Sequence, residues 1–153
     1  MEDYRAILAD MRGALRSEHG ARTIYPLLAR LARNPELRGV LSSMRAEQEQ
    51  QIRRLAEAMA ELGPAPRRTS LRRSAMAWAL FLSTPLIGMR FALRLCHDAE
   101  ARVSRWYHGY SAWFADRGDL ERARFFRELS LTKYTHAQVL EAFLMNASGR
   151  WSR

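Results

Sequence analysis

Apolar residues recur at every third or fourth position in the first third of the chain and predict a pair of helices. We expect the first helix to run from Asp3 to about Arg33. Asn34 is then placed as an N-cap, and Pro35 and Glu36 follow it in the first turn of the second helix. This second helix has an apolar stripe and ends at Gly63–Pro64; the stripe consists of Leu37, Leu41, Met44, Ile52, Leu55 and Met59.

A long apolar stretch comes next, from Ala75 to Leu93, and Arg90 is its only charged residue. Its length is marginally sufficient to cross a bilayer, but Pro85 and Gly88 interrupt it. We therefore expect a segment that lies in the membrane interface and leads into the third helix. A single membrane span and a buried core helix are the two alternatives.

The third and fourth helices complete the predicted architecture. The third helix is expected to end near Gly118, and the fourth to run from an Asp119 cap to about Asn146. With 153 residues, the chain fits one all-α domain. The expected fold is a four-helix bundle with a long apolar connecting or interfacial helix between its second and third helices.

The charge of the chain is strongly basic, with a formal net charge of +9 that comes almost wholly from arginine. One arginine cluster directly precedes the apolar stretch, where it would meet anionic lipid head groups: Arg67, Arg68, Arg72 and Arg73. The arginines follow no recognised nucleic-acid motif, so a nucleic-acid partner is not expected. The lone Cys96 indicates a reducing compartment. We therefore expect a peripheral protein on the cytoplasmic face of a membrane.

Acids and a histidine recur on the predicted helices at spacings that suggest a metal site. Glu18 and Glu100 each precede a tyrosine by seven residues, at Tyr25 and Tyr107. Glu47 heads a Glu-x-x-Gln pair with Gln50, and the only lysine heads a Lys-x-x-His pair, Lys133 and His136. Residues three apart share a helix face, and Glu-x-x-His pairs on facing helices build the two-metal centre of ferritin-like bundles.

Two of the six expected ligand positions are altered, which changes the charge of this site. Gln50 is a weak ligand where histidine is expected, and Lys133 brings a cation where a bridging glutamate is expected. A metal-free polar core, a single iron or manganese ion, and a two-metal centre are the three alternatives, and the first is favoured. Any one of these acids could instead lie on an exposed face if its helix is misplaced by one residue.

Several segments resemble the demethoxyubiquinone hydroxylase family of ferritin-like di-iron monooxygenases. Glu18–Tyr25 is similar to the family's Glu-x-x-Ala-x-x-Ile-Tyr, and Met44–Gln50 to its Met-x-x-x-Glu-x-x-His without the histidine. Thr84–Gly88, followed by Glu100 and Tyr107, resembles its Thr-Ala-Leu-Leu-Gly run. The likeness covers about residues 15–140 and implies an interfacial helix through which the bundle reaches a quinone in the bilayer.

The expected function is therefore binding of a quinone or another long apolar lipid at a membrane, without an intact di-iron centre. The lipid-contacting residues would be Tyr25, Trp78, Phe81, Leu82, Leu86, Ile87, Phe91 and Tyr107. Two alternatives remain open: a quinone-hydroxylase-like monooxygenase with an unusual metal site, and an accessory subunit of a membrane protein complex. A membrane-protein partner or a homodimer would be compatible with these readings.

Overall fold

The computed structural model describes the main chain of residues 2–63 and 71–150 as five α-helices, with no strand in those ranges. The helices are α1 (Glu2–Leu31), α2 (Pro35–Leu62), α3 (Leu71–Ile87), α4 (Met89–Ala115) and α5 (Leu120–Arg150). The all-α prediction is confirmed. Two details differ from it: the apolar stretch is divided between α3 and α4, and the last helix continues beyond Asn146.

The chain forms two compact units, Met1–Ser83 and Thr84–Arg153. In the first unit α1 packs against α2 around buried leucine and methionine side chains, among them Met11, Leu28, Leu41 and Leu55. The predicted cap of α2 is confirmed, because Asn34 Oδ1 accepts hydrogen bonds from the amides of Glu36 (2.8 Å) and Leu37 (3.3 Å). These bonds satisfy amides that the first turn of a helix otherwise leaves without partners.

In the second unit α4 packs against α5, and two kinds of contact hold the pair together. Ser104 and Ser130 each donate a hydroxyl hydrogen bond to the other's backbone carbonyl at 2.9 Å, which requires the two helices to approach closely. Nearer the connecting turn, aromatic rings fill the interface, and Phe114 stacks on Phe126 with ring centroids 5.5 Å apart. The turn itself contains Gly118 with φ +76°, a conformation that glycine adopts without steric cost.

The junction between α3 and α4 lies at Gly88, whose φ of +87° ends one helix before the next begins. Pro85 contributes to the break because its nitrogen cannot donate a hydrogen bond within α3. Along α3 only Ala77 and Thr84 are buried among the described side chains. No helix in the described ranges is both long and apolar enough to span a bilayer.

Candidate ionic cluster and apolar surface

Three charged or ionisable side chains meet in the interior of the α4–α5 pair. Lys133 Nζ lies 3.2 Å from Glu100 Oε2, and His136 Nδ1 lies 3.3 Å from the same oxygen. The side chains of Lys133 and Glu100 are 1% and 3% exposed, so this is a buried ion pair. We call Glu100, Lys133 and His136 the ionic cluster. The predicted Lys-x-x-His spacing thus places both residues toward one carboxylate.

The helix packing explains why these side chains point inward. Glu100 lies one turn before Ser104 on α4, and Lys133 lies one turn after Ser130 on α5, so the cluster continues the seam that the two serines mark. A charge buried at such a seam is costly unless an opposite charge and hydrogen bonds accompany it. Glu100 receives both, from Lys133 and from His136.

Cys96 lies one turn before Glu100 on the same helix and is also buried. Burial, together with the nearby charge of Glu100, raises the pKa of the Cys96 thiol to about 12. A thiol with this pKa is protonated at neutral pH and is a poor nucleophile and metal ligand. Cys96 is therefore a packing residue of the α4–α5 pair.

In the first unit, the buried polar residues of α2 lie one position after the residues that were expected to be metal ligands. Glu47 and Gln50 are exposed, and Glu47 accepts a hydrogen bond from Ser43 at 3.4 Å. The buried positions are Gln48 and Gln51 instead. The expected placement of Glu47 and Gln50 on the inner face is therefore wrong. A step of one residue turns a side chain by 100° around the helix axis, which is enough to move it from the inner face to the exposed side. Glu18 is buried on α1, as expected.

Sequence reasoning missed two kinds of buried polar residue in this unit. Gln48 lies four residues after Met44 and four before Ile52, so the apolar spacing of α2 was the signal that could have placed it on the inner face. His19 is 3% exposed, and neither ring nitrogen has a hydrogen-bond partner within the described part of the chain. Burial and the neighbouring charge of Arg22 lower the pKa of His19, which keeps its imidazole neutral.

These residues do not fit a two-metal centre. The nitrogen of Lys133 lies beside Glu100, where a metal ion bound by that carboxylate would have to sit, and two cations repel each other at such a distance. On α2 the inner positions carry the amides of Gln48 and Gln51, which are weak iron ligands. Across residues 2–63 and 71–150, no group of three or more His, Cys, Asp or Glu side chains has a metal-binding arrangement.

The second candidate feature is a set of large apolar side chains that are exposed along α3 and at the start of α4. Its large side chains are far more exposed than core residues, with Leu86 90%, Leu71 84% and Leu82 68% exposed. We call this the apolar surface and define it by Leu71, Met76, Trp78, Leu82, Leu86, Ile87, Phe91 and Leu95. Large apolar side chains exposed in such number usually mark a contact with a partner or a membrane.

The other residues expected to contact lipid or the membrane surface differ in how exposed they are. Phe81 is half-buried, and its ring contacts that of Trp78 edge-on with centroids 5.6 Å apart. Tyr25 and Tyr107 are fully buried and do not belong to the apolar surface. Arg72 is exposed. Arg67 and Arg68 lie outside the described residues, as does the side chain of Arg73.

Fold and site together define an all-α protein with a buried ionic cluster and an exposed apolar surface. Comparison of the chain with protein-family models, curated proteins and solved structures found no match.

Proposed function

We propose that this protein docks on a membrane through the apolar surface and binds a long apolar lipid, such as a quinone, while its ionic cluster replaces a metal centre. The observation that carries the proposal is the exposure of Leu71, Leu82 and Leu86. Full burial of one such side chain in an apolar phase contributes about 1.5–3 kcal/mol. Several together suffice for stable adsorption of a helix that lies in the interface.

The positive charge of the arginines near the start of α3 supports the same proposal. Arg72 is exposed at the beginning of α3, and Arg67, Arg68 and Arg73 lie within five residues of it along the sequence. Each basic residue near an anionic bilayer contributes about 1 kcal/mol, and this contribution weakens as salt screens it. We therefore expect the protein to prefer vesicles that contain anionic lipid.

The ionic cluster supports a role that does not depend on metal. The positive charge of Lys133 balances Glu100 in the interior, which is the electrostatic task of a metal ion in a carboxylate-rich bundle. Such a bundle would keep its fold and its access to lipid although the chemistry of a metal centre is lost. This reading favours a binding or accessory protein over an oxygenase.

Vesicle flotation tests the proposed function. We expect the wild-type protein to float with vesicles of phosphatidylcholine and phosphatidylglycerol at low salt, and the double variant Leu82→Glu/Leu86→Glu to stay in solution. The matched control is Leu131→Glu, which adds an acid at an exposed leucine of α5. Circular dichroism checks that each variant is folded. Failure of the wild-type protein to float, or flotation of the double variant at the wild-type level, contradicts the proposal.

A further inference from the structure

A groove of about 500 Å³ opens between the first half of α4 and the end of α5. This volume lies within the range of about 300–1,000 Å³ that is usual for small-molecule sites. The groove lies wholly within the second unit. Its lining residues are Arg90, Arg94, His97, Asp98, Glu141, Leu144 and Met145.

The two arginines of the groove lie on its α4 wall, and the carboxylate of Glu141 lies on its α5 wall. Arg90 and Arg94 lie one turn apart on α4, and Arg90 Nη2 donates a hydrogen bond to the Leu144 carbonyl at 3.3 Å. On α5 the wall contributes the exposed carboxylate of Glu141. Arginine binds phosphate through several parallel N–H donors, and a carboxylate accepts hydrogen bonds from an ammonium group.

The fourth charged residue, Asp98, is engaged beside the groove's histidine. Its Oδ1 lies 2.9 Å from Nδ1 of His97. Asp98 lies on α4 with the arginines, and together with Glu141 it balances their two positive charges, so the groove has no excess positive charge. A simple anion would meet repulsion as well as attraction there. A ligand with a phosphate at one end and a primary ammonium at the other would match the arginine pair and Glu141.

The groove also borders the apolar surface. Phe91 and Leu95 each follow a groove arginine by one residue, which places them about 100° around α4 from Arg90 and Arg94. Both are exposed, at 50% and 42%. A lipid whose head group occupied the groove could therefore extend its acyl chains along exposed apolar side chains.

We propose that the groove binds the head group of a phosphatidylethanolamine lipid, with the phosphate on Arg90 and Arg94 and the ammonium on Glu141. This inference rests on the proposed function, because a membrane must supply the lipid. Choline carries the same phosphate, but its trimethylated nitrogen has no hydrogen to donate. The groove thus discriminates between two head groups that are both electrically neutral, and surface charge plays no part in the choice.

The test uses soluble head groups, which removes effects of membrane packing and curvature. Glycerophosphoethanolamine and glycerophosphocholine are titrated separately into ¹⁵N-labelled protein, and the side-chain N–H signals of the arginines are followed by NMR. We expect binding of the ethanolamine compound to be about fivefold tighter, as one exposed charge-assisted hydrogen bond would give.

Two variants assign the two ends of the head group. Glu141→Gln should bring the ratio of the two affinities to about one, and Arg94→Gln should weaken both ligands together. Glu128→Gln removes an exposed acid of the same helix outside the groove and should leave both affinities unchanged. Should a groove variant fail to fold, the ratio measured on the wild-type protein still decides the matter.

Equal affinity of the wild-type protein for the two compounds overturns the inference, as does binding of neither. A preference that survives Glu141→Gln overturns it as well. These outcomes are separate from the flotation result. A protein that floats with vesicles but shows no preference retains the proposed function and loses the head-group site, whereas a protein that prefers ethanolamine but does not float loses the proposed function.

Discussion

The ammonium group of Lys133 lies in the interior of the α4–α5 pair, and the groups around it explain why a charge can be buried there. Lys133 has a carboxylate oxygen at 3.2 Å, and His136 shares the same oxygen. Removal of one partner from a buried pair leaves an uncompensated charge, whereas replacement of both partners by neutral side chains is often tolerated. The ionic cluster can therefore be tested by comparing the free energies of unfolding of single and double variants.

Lys133→Met should destabilise the protein by about 3–5 kcal/mol, because Glu100 then retains a buried charge without its ammonium partner. The double variant Glu100→Gln/Lys133→Met should recover most of that loss. The free energy of unfolding in urea measures both effects and gives the coupling between the two residues. A double variant as unstable as Lys133→Met, or a single variant with no loss, would show that the two side chains are not paired.

A second substitution at the same residue tests why the site does not fit a metal. Lys133→Glu would place a second carboxylate beside Glu100 and His136, a ligand set that suits Mn²⁺ or Co²⁺. We expect either ion to raise the Tm of this variant and to leave the wild-type Tm unchanged. Tyr134→Glu, which adds an acid at an exposed neighbour, is the control. An equal shift in the control would mean that the ions bind nonspecifically.

His19 predicts a pH dependence of stability. Its folded-state pKa is lowered from 6.5, mainly by burial, so between that lower value and 6.5 the unfolded chain binds more protons than the folded one. Stability should therefore fall as the pH drops below about 6.5. His19→Phe should make the free energy of unfolding less dependent on pH in this window. An unchanged pH profile of His19→Phe would refute the assignment.

Individual residues show how far the sequence alone could locate the candidate site. Lys133 and His136 were found because their three-residue spacing fixes a common helix face. Position 47 was misplaced because Glu47 to Gln51 is an unbroken polar run, in which only the flanking Met44 and Ile52 determine which residue faces inward. His19 was missed for a different reason: no charge or spacing motif marks a histidine that is buried as a neutral side chain.

At the scale of elements, the junction of α3 and α4 depends on the backbone of Gly88. An alanine at φ +87° meets a steric cost of about 1–2 kcal/mol, although open space surrounds the added methyl group. Gly88→Ala should lower stability by that amount. Gly109→Ala, placed within α4 and also facing open space, should raise stability by about 0.5–1 kcal/mol. Thermal unfolding of the two variants should thus shift in opposite directions, and shifts of the same sign would contradict the role of Gly88.

Helices were easier to predict than the break between them. The Asn34 cap and the turn at Gly118 have local sequence signals that act through backbone hydrogen bonds and φ angles, and both lie where expected. The division of the apolar stretch into two helices was not predicted because hydrophobic residues such as Leu86 and Phe91 lie on both sides of Gly88, so that the sequence there has the pattern of one continuous segment. Hydrophobicity predicts that a segment avoids water, but it does not determine where a helix ends.

At the scale of the whole molecule, composition and exposed surface lead to the same account. A net charge of +9 favours anionic surfaces, and the apolar surface supplies contacts that charge alone does not. The two contributions differ in their response to salt, because screening weakens the electrostatic part only. Raising the ionic strength should therefore reduce, without abolishing, the fraction of protein on anionic vesicles.

The depth of Trp78 in the bilayer tests the account most directly. In a variant that keeps Trp78 as its only tryptophan, through Trp106→Phe, Trp113→Phe and Trp151→Phe, fluorescence is measured on vesicles whose acyl chains carry bromine at different depths. The proposal places α3 in the interface and therefore predicts strong quenching by shallow bromines and weaker quenching by those near the bilayer centre. Fluorescence that no brominated lipid quenches, while the folded protein is on the vesicles, would contradict docking through the apolar surface.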